Sequence, residues 1–208
     1  MNRFPQSQYI LEANHIAARR RATLVGERFE GAALLLASIQ IGERIAGIAL
    51  LRALWQDDES GSNPLGEAIE EVLSAFVRRR TGGRDGETKI APDVQSALSA
   101  LGKRPAAFQS RPLDLSGARL SGVEWPFAHL SGALLVDTDL RGALLVGADL
   151  RGTWLRGADL GLANLDDADL RGADLRGARG TDPAQLRNVK SDERTLWSQP
   201  VAKTRLVF

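Results

Sequence analysis

A large apolar residue recurs every five positions through the middle of this chain, and no common secondary-structure element has that period. The centres are Leu115, Leu120, Trp125, Leu130, Leu135, Leu140, Leu145, Leu150, Leu155, Leu160, Leu165, Leu170 and Leu175, so that twelve of the thirteen are leucine. Two residues before each centre stands a small or aliphatic side chain; nine of these thirteen are alanine and none is large and polar. A helix repeats about every 3.6 residues and a strand every 2. A rule of five kept for over sixty residues therefore needs a structure whose own unit is five residues long.

Such a unit turns a corner every five residues and points one large and one small side chain inward. Four units close a square coil, and coils stack at the interstrand spacing of about 4.8 Å. Leucine then lies on leucine, with alanine beside it leaving room for its bulk. Glycine recurs two positions after nine of the centres, from Gly117 to Gly177, where a missing Cβ eases the corner. Asp114, Asp139, Asp149, Asp159, Asn164, Asp169 and Asp174 stand just before centres. Such side chains tolerate turn conformations and bond nearby backbone.

The runs Ala148-Asp149-Leu150-Arg151-Gly152, Ala158-Asp159-Leu160, Ala163-Asn164-Leu165, Ala168-Asp169-Leu170-Arg171-Gly172 and Ala173-Asp174-Leu175-Arg176-Gly177 resemble the A-(D/N)-L-x-x motif of the pentapeptide-repeat family. The resemblance covers about a third of the chain and implies a right-handed quadrilateral β-helix over residues 113–180. It implies no chemistry, because members share a solenoid and not an activity.

Residues 1–112 hold no trace of this period and read as an α-helical N-terminal domain, which makes the expected fold class α+β. The expected helices are Gln8 to Phe29, Ala32 to Trp55, Leu65 to Arg80 and Pro92 to Leu101. The second carries Leu35, Ile39, Gly42, Ile45, Ala49 and Leu54 at three- to five-residue intervals, and the third a stripe of Ile69, Val72, Leu73, Phe76 and Val77. Pro92 suits a first helical turn. Residues 45–54, 72–78 and 93–102 are similar to a helical leader that precedes the repeats in a subset of bacterial members, some of which carry membrane helices ahead of it. Here the most apolar stretch, Ala32 to Leu54, is interrupted by Glu43, Arg44 and Arg52, so no membrane span is expected. The N-terminus lacks a secretory pattern, and the cytoplasm is the expected location.

An open solenoid must cover its ends. The helices can cover the first coil. Beyond Gly180, Thr181-Asp182-Pro183-Ala184 resembles a helix start, with Asp as N-cap and Pro at the first position. Residues 181–208 are therefore read as a C-terminal helical cap and tail, with Trp197 as an apolar plug. The apolar end Leu206-Val207-Phe208 is a candidate homodimer contact.

Charge narrows the function. The chain is 43% hydrophobic and 25% charged, carries net +1 and has no cysteine, which excludes disulfides, thiolate metal sites and cysteine nucleophiles. Some pentapeptide-repeat proteins mimic the DNA duplex and bind DNA gyrase. Between residues 113 and 180 the net charge is −3, and Asp and Arg alternate along the ladders, whereas DNA carries one charge per about 1.7 Å. A DNA-mimicking modulator of gyrase or another type II topoisomerase is therefore the alternative reading. His15 and His129 are isolated, with no phosphate loop, metal cluster or nucleophile motif, so no enzyme activity, cofactor or metal is expected. Arg19-Arg20-Arg21 and Arg78-Arg79-Arg80 lie among acidic residues and read as solvated faces; direct nucleic-acid binding is not expected.

What remains is a protein-interaction scaffold. Leu134, Leu144 and Trp154 stand before centres where Asp or Asn is usual, and Val136 and Val146 follow centres. Leu134, Val136 and Trp154 fall on one side of a coil of four units, with Leu144 and Val146 on the opposite side. Large apolar residues on an outer face pack beneath another part of the protein or meet a partner. These five form the candidate partner-binding face, an assignment that full burial of Trp154 within the monomer would exclude.

Overall fold

The computed structural model describes residues 5–56, 65–82, 90–103, 112–181 and 186–198, with the side chains of residues 5–18 and 21 left aside. The helices are α1 (Pro5–Leu36), α2 (Ile41–Gln56), α3 (Gly66–Thr81) and α4 (Pro92–Leu101). The break between the first two falls later than the sequence implies, because helix continues through Gly31. An exposed interior glycine costs a helix only about 1 kcal/mol. The turn forms instead at residues 37–40, where its polar groups are met. Ser38 Oγ accepts from the Gln40 N–H at 3.0 Å and hydrogen-bonds the Glu43 carboxylate. Arg44 donates to the carbonyls of Ser38 at 2.8 Å and Ile39 at 2.9 Å.

The buried stripe of α2 is correspondingly rotated. Arg44, Gly47, Ile48, Leu51, Leu54 and Trp55 face inward, while Ile39, Gly42 and Ala49 are exposed. The side chain that turns this face inward is a charged one. Arg44 Nε reaches Asp93 Oδ2 at 2.6 Å, and Arg80 Nε meets the same oxygen at 3.1 Å. Burial alone would push the Asp93 carboxyl up; the Arg44 hydrogen bond and the charges of Arg80 and Arg44 outweigh it and hold the pKa below the ordinary aspartate value. Asp93 thus joins α2, α3 and α4 through one carboxylate.

From Leu113 the chain winds as a solenoid. Parallel bridges join residues twenty apart, as in Leu134 with Trp154 and Leu144 with Asn164. They lie in four columns that begin at Asp114, Arg119, Glu124 and His129. Ten centres, Leu115 to Leu160, donate their N–H to a carbonyl nineteen residues ahead, as Leu150 does to Asp169 at 2.9 Å, and the residue two before a centre closes a turn, as Ala148 does onto Leu145 at 3.1 Å. The residue before a centre bonds the previous coil, as Asp149 does to Ala128 at 2.9 Å. Thirteen centres and their small partners are buried. Thr138 and Thr153 take small positions in this core because their hydroxyls bond the carbonyls of Leu115 and Leu150.

One hydrophobic cluster runs through both regions, from Ala32 in α1 to Val189. The helices seat on the first coil. Gln95 Nε2 donates to the Glu124 carbonyl at 2.6 Å and Gln95 Oε1 accepts from the Glu124 N–H at 3.3 Å, completing an amide pair. The Arg119 N–H reaches Thr81 Oγ1 at 3.2 Å, and Arg78 binds both the carbonyl and the carboxylate of Asp114. At the end of α4 a Cβ on Gly102 would lie 2.2 Å from Trp125 Nε1, so only glycine lets that indole close the joint. Arg78 and Arg80, read from sequence as a solvated face, are in fact structural struts.

At the other end the expected helical cap does not form across residues 186–198. Asp182, Pro183, Ala184 and Gln185, which carried that expectation, lie outside the described residues, as do Leu206, Val207 and Phe208. The solenoid instead continues with a lengthened partial coil, in which Lys190 bridges Asp169 and Leu196 bridges Asp174. Leu186 and Val189 are buried, and Trp197 packs partly buried against the core. Asp192 replaces a backbone acceptor by taking the Gly172 N–H at 2.9 Å, and Thr195 Oγ1 donates to the Leu170 carbonyl at 3.0 Å. Side-chain bonds to the last full coil thus do the work assigned to a helix, because terminal backbone groups need partners and not a particular element.

Candidate interaction surface

In the regular units one backbone N–H per unit has no backbone acceptor, that of the residue after the centre. Aspartate or asparagine before the centre answers it. All seven such residues accept from the N–H two positions on, at 2.9–3.2 Å, from Asp114 with Ser116 to Asp174 with Arg176. In four units the following arginine also forks the same carboxylate, with Nη2 to Oδ2 distances of 2.6–2.7 Å for Arg141, Arg151, Arg171 and Arg176. Those side-chain hydrogen bonds are the main reason that Asp139, Asp149, Asp169 and Asp174 are held below the usual carboxylate range, burial opposing them.

Leu134, Leu144 and Trp154 occupy this same position and cannot accept. Each forgoes a local bond worth about 0.5–1.5 kcal/mol in a typical setting. Trp154 is 52% exposed and Leu144 37%. Leu134, Val136 and Val146 are half-buried. Leu134 and Trp154 are direct bridge partners in the column Asp114, Leu134, Trp154, Asp174, Leu196, while Leu144 lies between Glu124 and Asn164 in another. The five residues therefore form two surfaces. The hydrogen bonds of the helices to the rod described above fall on the first coil, and Trp154 stays open.

Sequence reasoning missed other outward apolar residues. Phe127 and Leu162 take the position that glycine holds elsewhere, with φ of 57° and 61°, and they are 70% and 89% exposed. The signal was present in the sequence as a bulky residue at the corner position. The Phe127 ring lies over Gly147, where a Cβ would come within 2.7 Å of it. Leu196, 43% exposed, extends the Trp154 column and was hidden by the expected helix.

His129 is exposed and bridges Asp149 through backbone; His15 lies within α1. Among the described residues no group of three or more His, Asp or Glu could hold a metal, and no helix is long and apolar enough to cross a membrane.

The family model for pentapeptide repeats matches residues 114–152 and 143–179, in eight copies. A pentapeptide repeat protein from the cyanobacterium Nostoc is 28% identical over 46% of this chain and 86% of its own, with a TM-score of 0.31. Another, from the cyanobacterium Cyanothece, is 32% identical over 46% of this chain and 71% of its own, with a TM-score of 0.25. HetL, a Nostoc pentapeptide repeat protein involved in heterocyst differentiation regulation, is 24% identical over 41% of this chain and 49% of its own, with a TM-score of 0.28. Among curated proteins no relative matches.

Proposed function

Because this chain belongs to the pentapeptide-repeat family, we propose that it is a non-catalytic protein–protein interaction scaffold whose partner docks on the Trp154 column. In this reading the rod is a right-handed quadrilateral β-helix in the cytoplasm, anchored at one end by the helices. The observation that carries it is the substitution of Trp154 and Leu134 for a residue that would otherwise cap the backbone. A half-exposed tryptophan there forgoes the backbone cap that aspartate supplies, whereas a partner gains a rigid aromatic anchor. Asp114 and Asp174 border the Leu134–Trp154 pair in the column, Asp174 standing between Trp154 and Leu196 and forked by Arg176, the arrangement of an apolar centre within a polar rim.

The paired ladders oppose the alternative of a gyrase-directed DNA mimic. Arg141, Arg151, Arg171 and Arg176 each neutralise the aspartate beside them, so the rod offers neutral forks where a duplex offers unbroken negative charge. Homodimerisation through Leu206, Val207 and Phe208 remains a separate part of the proposal, read by mass in solution.

The test is Trp154→Asp, which restores the capping residue. The variant is expected to fold with at least wild-type thermal stability yet lose a discrete protein that wild type retains from native lysate, while Leu162→Asp keeps it. Retention of the same proteins by wild type and Trp154→Asp overturns the assignment.

A further inference from the structure

A cleft of about 510 Å³ lies between α2 and α4, with Arg52 among its lining residues. Arg52 is partly buried, and its Nε is fully shielded from water with no acceptor. Among the described residues it has no ion pair or hydrogen-bond partner. This contrasts with Arg44 on the same helix, which is held by Asp93 and two carbonyls. A shielded donor on a permanent cation without an acceptor is uncommon and calls for an explanation.

The surroundings supply one. Ser96 and Ser99, one turn apart on α4, line the same cleft with hydroxyls that have no hydrogen-bond partner among the described residues. Gln56 adds an amide, and Ile48, Ala49 and Ala53 form an apolar wall. A planar guanidinium matches the two oxygens of a carboxylate or phosphate, and hydroxyls add donors to the same oxyanion. Pockets for small ligands combine such a wall with a few convergent polar groups in a volume of this order.

We propose that the α2–α4 cleft is a binding site for a small organic anion, with its carboxylate or phosphate held by Arg52, Ser96 and Ser99 and its apolar body against Ile48, Ala49 and Ala53. Gln95 also lines the cleft and at the same time pairs with Glu124 of the first coil, so an occupant would rest against the joint that fixes the rod.

The experiment is calorimetric titration of the full chain with phenyl phosphate, phenylacetate and benzylammonium, with amide spectra to locate the shifts. One of the two anions is expected to saturate at one per chain, with shifts centred on α2 and α4, and the cation not to bind. Which anion binds more tightly distinguishes phosphate from carboxylate. Arg52→Gln is expected to weaken binding by about tenfold or more, the loss of a charge-assisted pair. Ser96→Glu, which keeps the arginine and supplies an internal carboxylate, is expected to abolish binding while raising thermal stability. Saturation by neither anion, or unchanged affinity in Arg52→Gln and Ser96→Glu, overturns the proposal.

Discussion

In the solenoid a backbone N–H finds its partner by a fixed step along the chain, and the same step recurs in every regular coil. In the helical region the contact that sets the packing is one carboxylate, Asp93, shared by Arg44, forty-nine residues away, and by Arg80. The first region spreads its stability over many equivalent bonds and rungs, as stacked repeats do. The second concentrates it in a buried charge cluster whose members cannot be removed singly without leaving another uncompensated.

The largest effect should therefore come from the helical side. Asp93→Ala strands Arg44 and is expected to cost about 3–5 kcal/mol, read by urea unfolding; the transition should divide, with the helical signal lost first. Acid tests the same carboxylate. Its pKa lies lower folded than unfolded, so its contribution is complete above the unfolded value of about 3.9 and is lost as pH falls through the folded value. Asp93→Asn should lack that part of the acid sensitivity. Equal destabilisation of both regions by Asp93→Ala would break the contrast.

A middle-sized effect belongs to the corner of the repeat. Gly152 has φ +61° and open space around a built Cβ, so Gly152→Ala tests backbone conformation alone and should cost about 1–2 kcal/mol. A much smaller loss in thermal denaturation would mean that Phe127, Asp137, Leu162 and Asp167, which hold the same positive φ, are no strain on the rod. The smallest effect is expected at an exposed fork. Arg151→Ala removes the ion pair to Asp149 but keeps the backbone bond, and should change stability by less than about 1 kcal/mol, shrinking further with added salt.

The contrast also explains what the sequence could reveal. The inner ladder was legible because position within the unit dictates direction; each of the thirteen centres is buried. The aspartate at the preceding position was legible as a turn former, though its particular acceptor role needed coordinates. The α1–α2 turn was misplaced because its polar groups are met by Ser38 and Arg44, side chains that carry no strong turn signal of their own. The tail beyond Gly180 was legible only in part: Asp182-Pro183, with the chemistry of a helix start, lies outside the described residues, while the lengthened coil that follows, twenty-one and then twenty-two residues between bridges, breaks the period on which the reading relied. No local pattern could pair Arg44 with Asp93 or leave Arg52 unpaired, since both depend on how four unlike helices meet. Among surface residues Trp154 and Leu144 were found by asking where Asp was missing. Phe127 and Leu162 were missed because the parallel question was not put to glycine.

The joint between the regions bears on how such a molecule can change. Thr81, Arg78 and Gln95 grip Arg119, Asp114 and Glu124, all within the opening coil, and the next coils rest on one another. Length is thus a dial with discrete stops. Duplication or loss of one whole coil, twenty residues in the regular part of the rod, would shift everything beyond it by one stacking step of about 4.8 Å and leave the grip untouched. A lineage could retune the distance between the helices and a docked partner without redesigning either end.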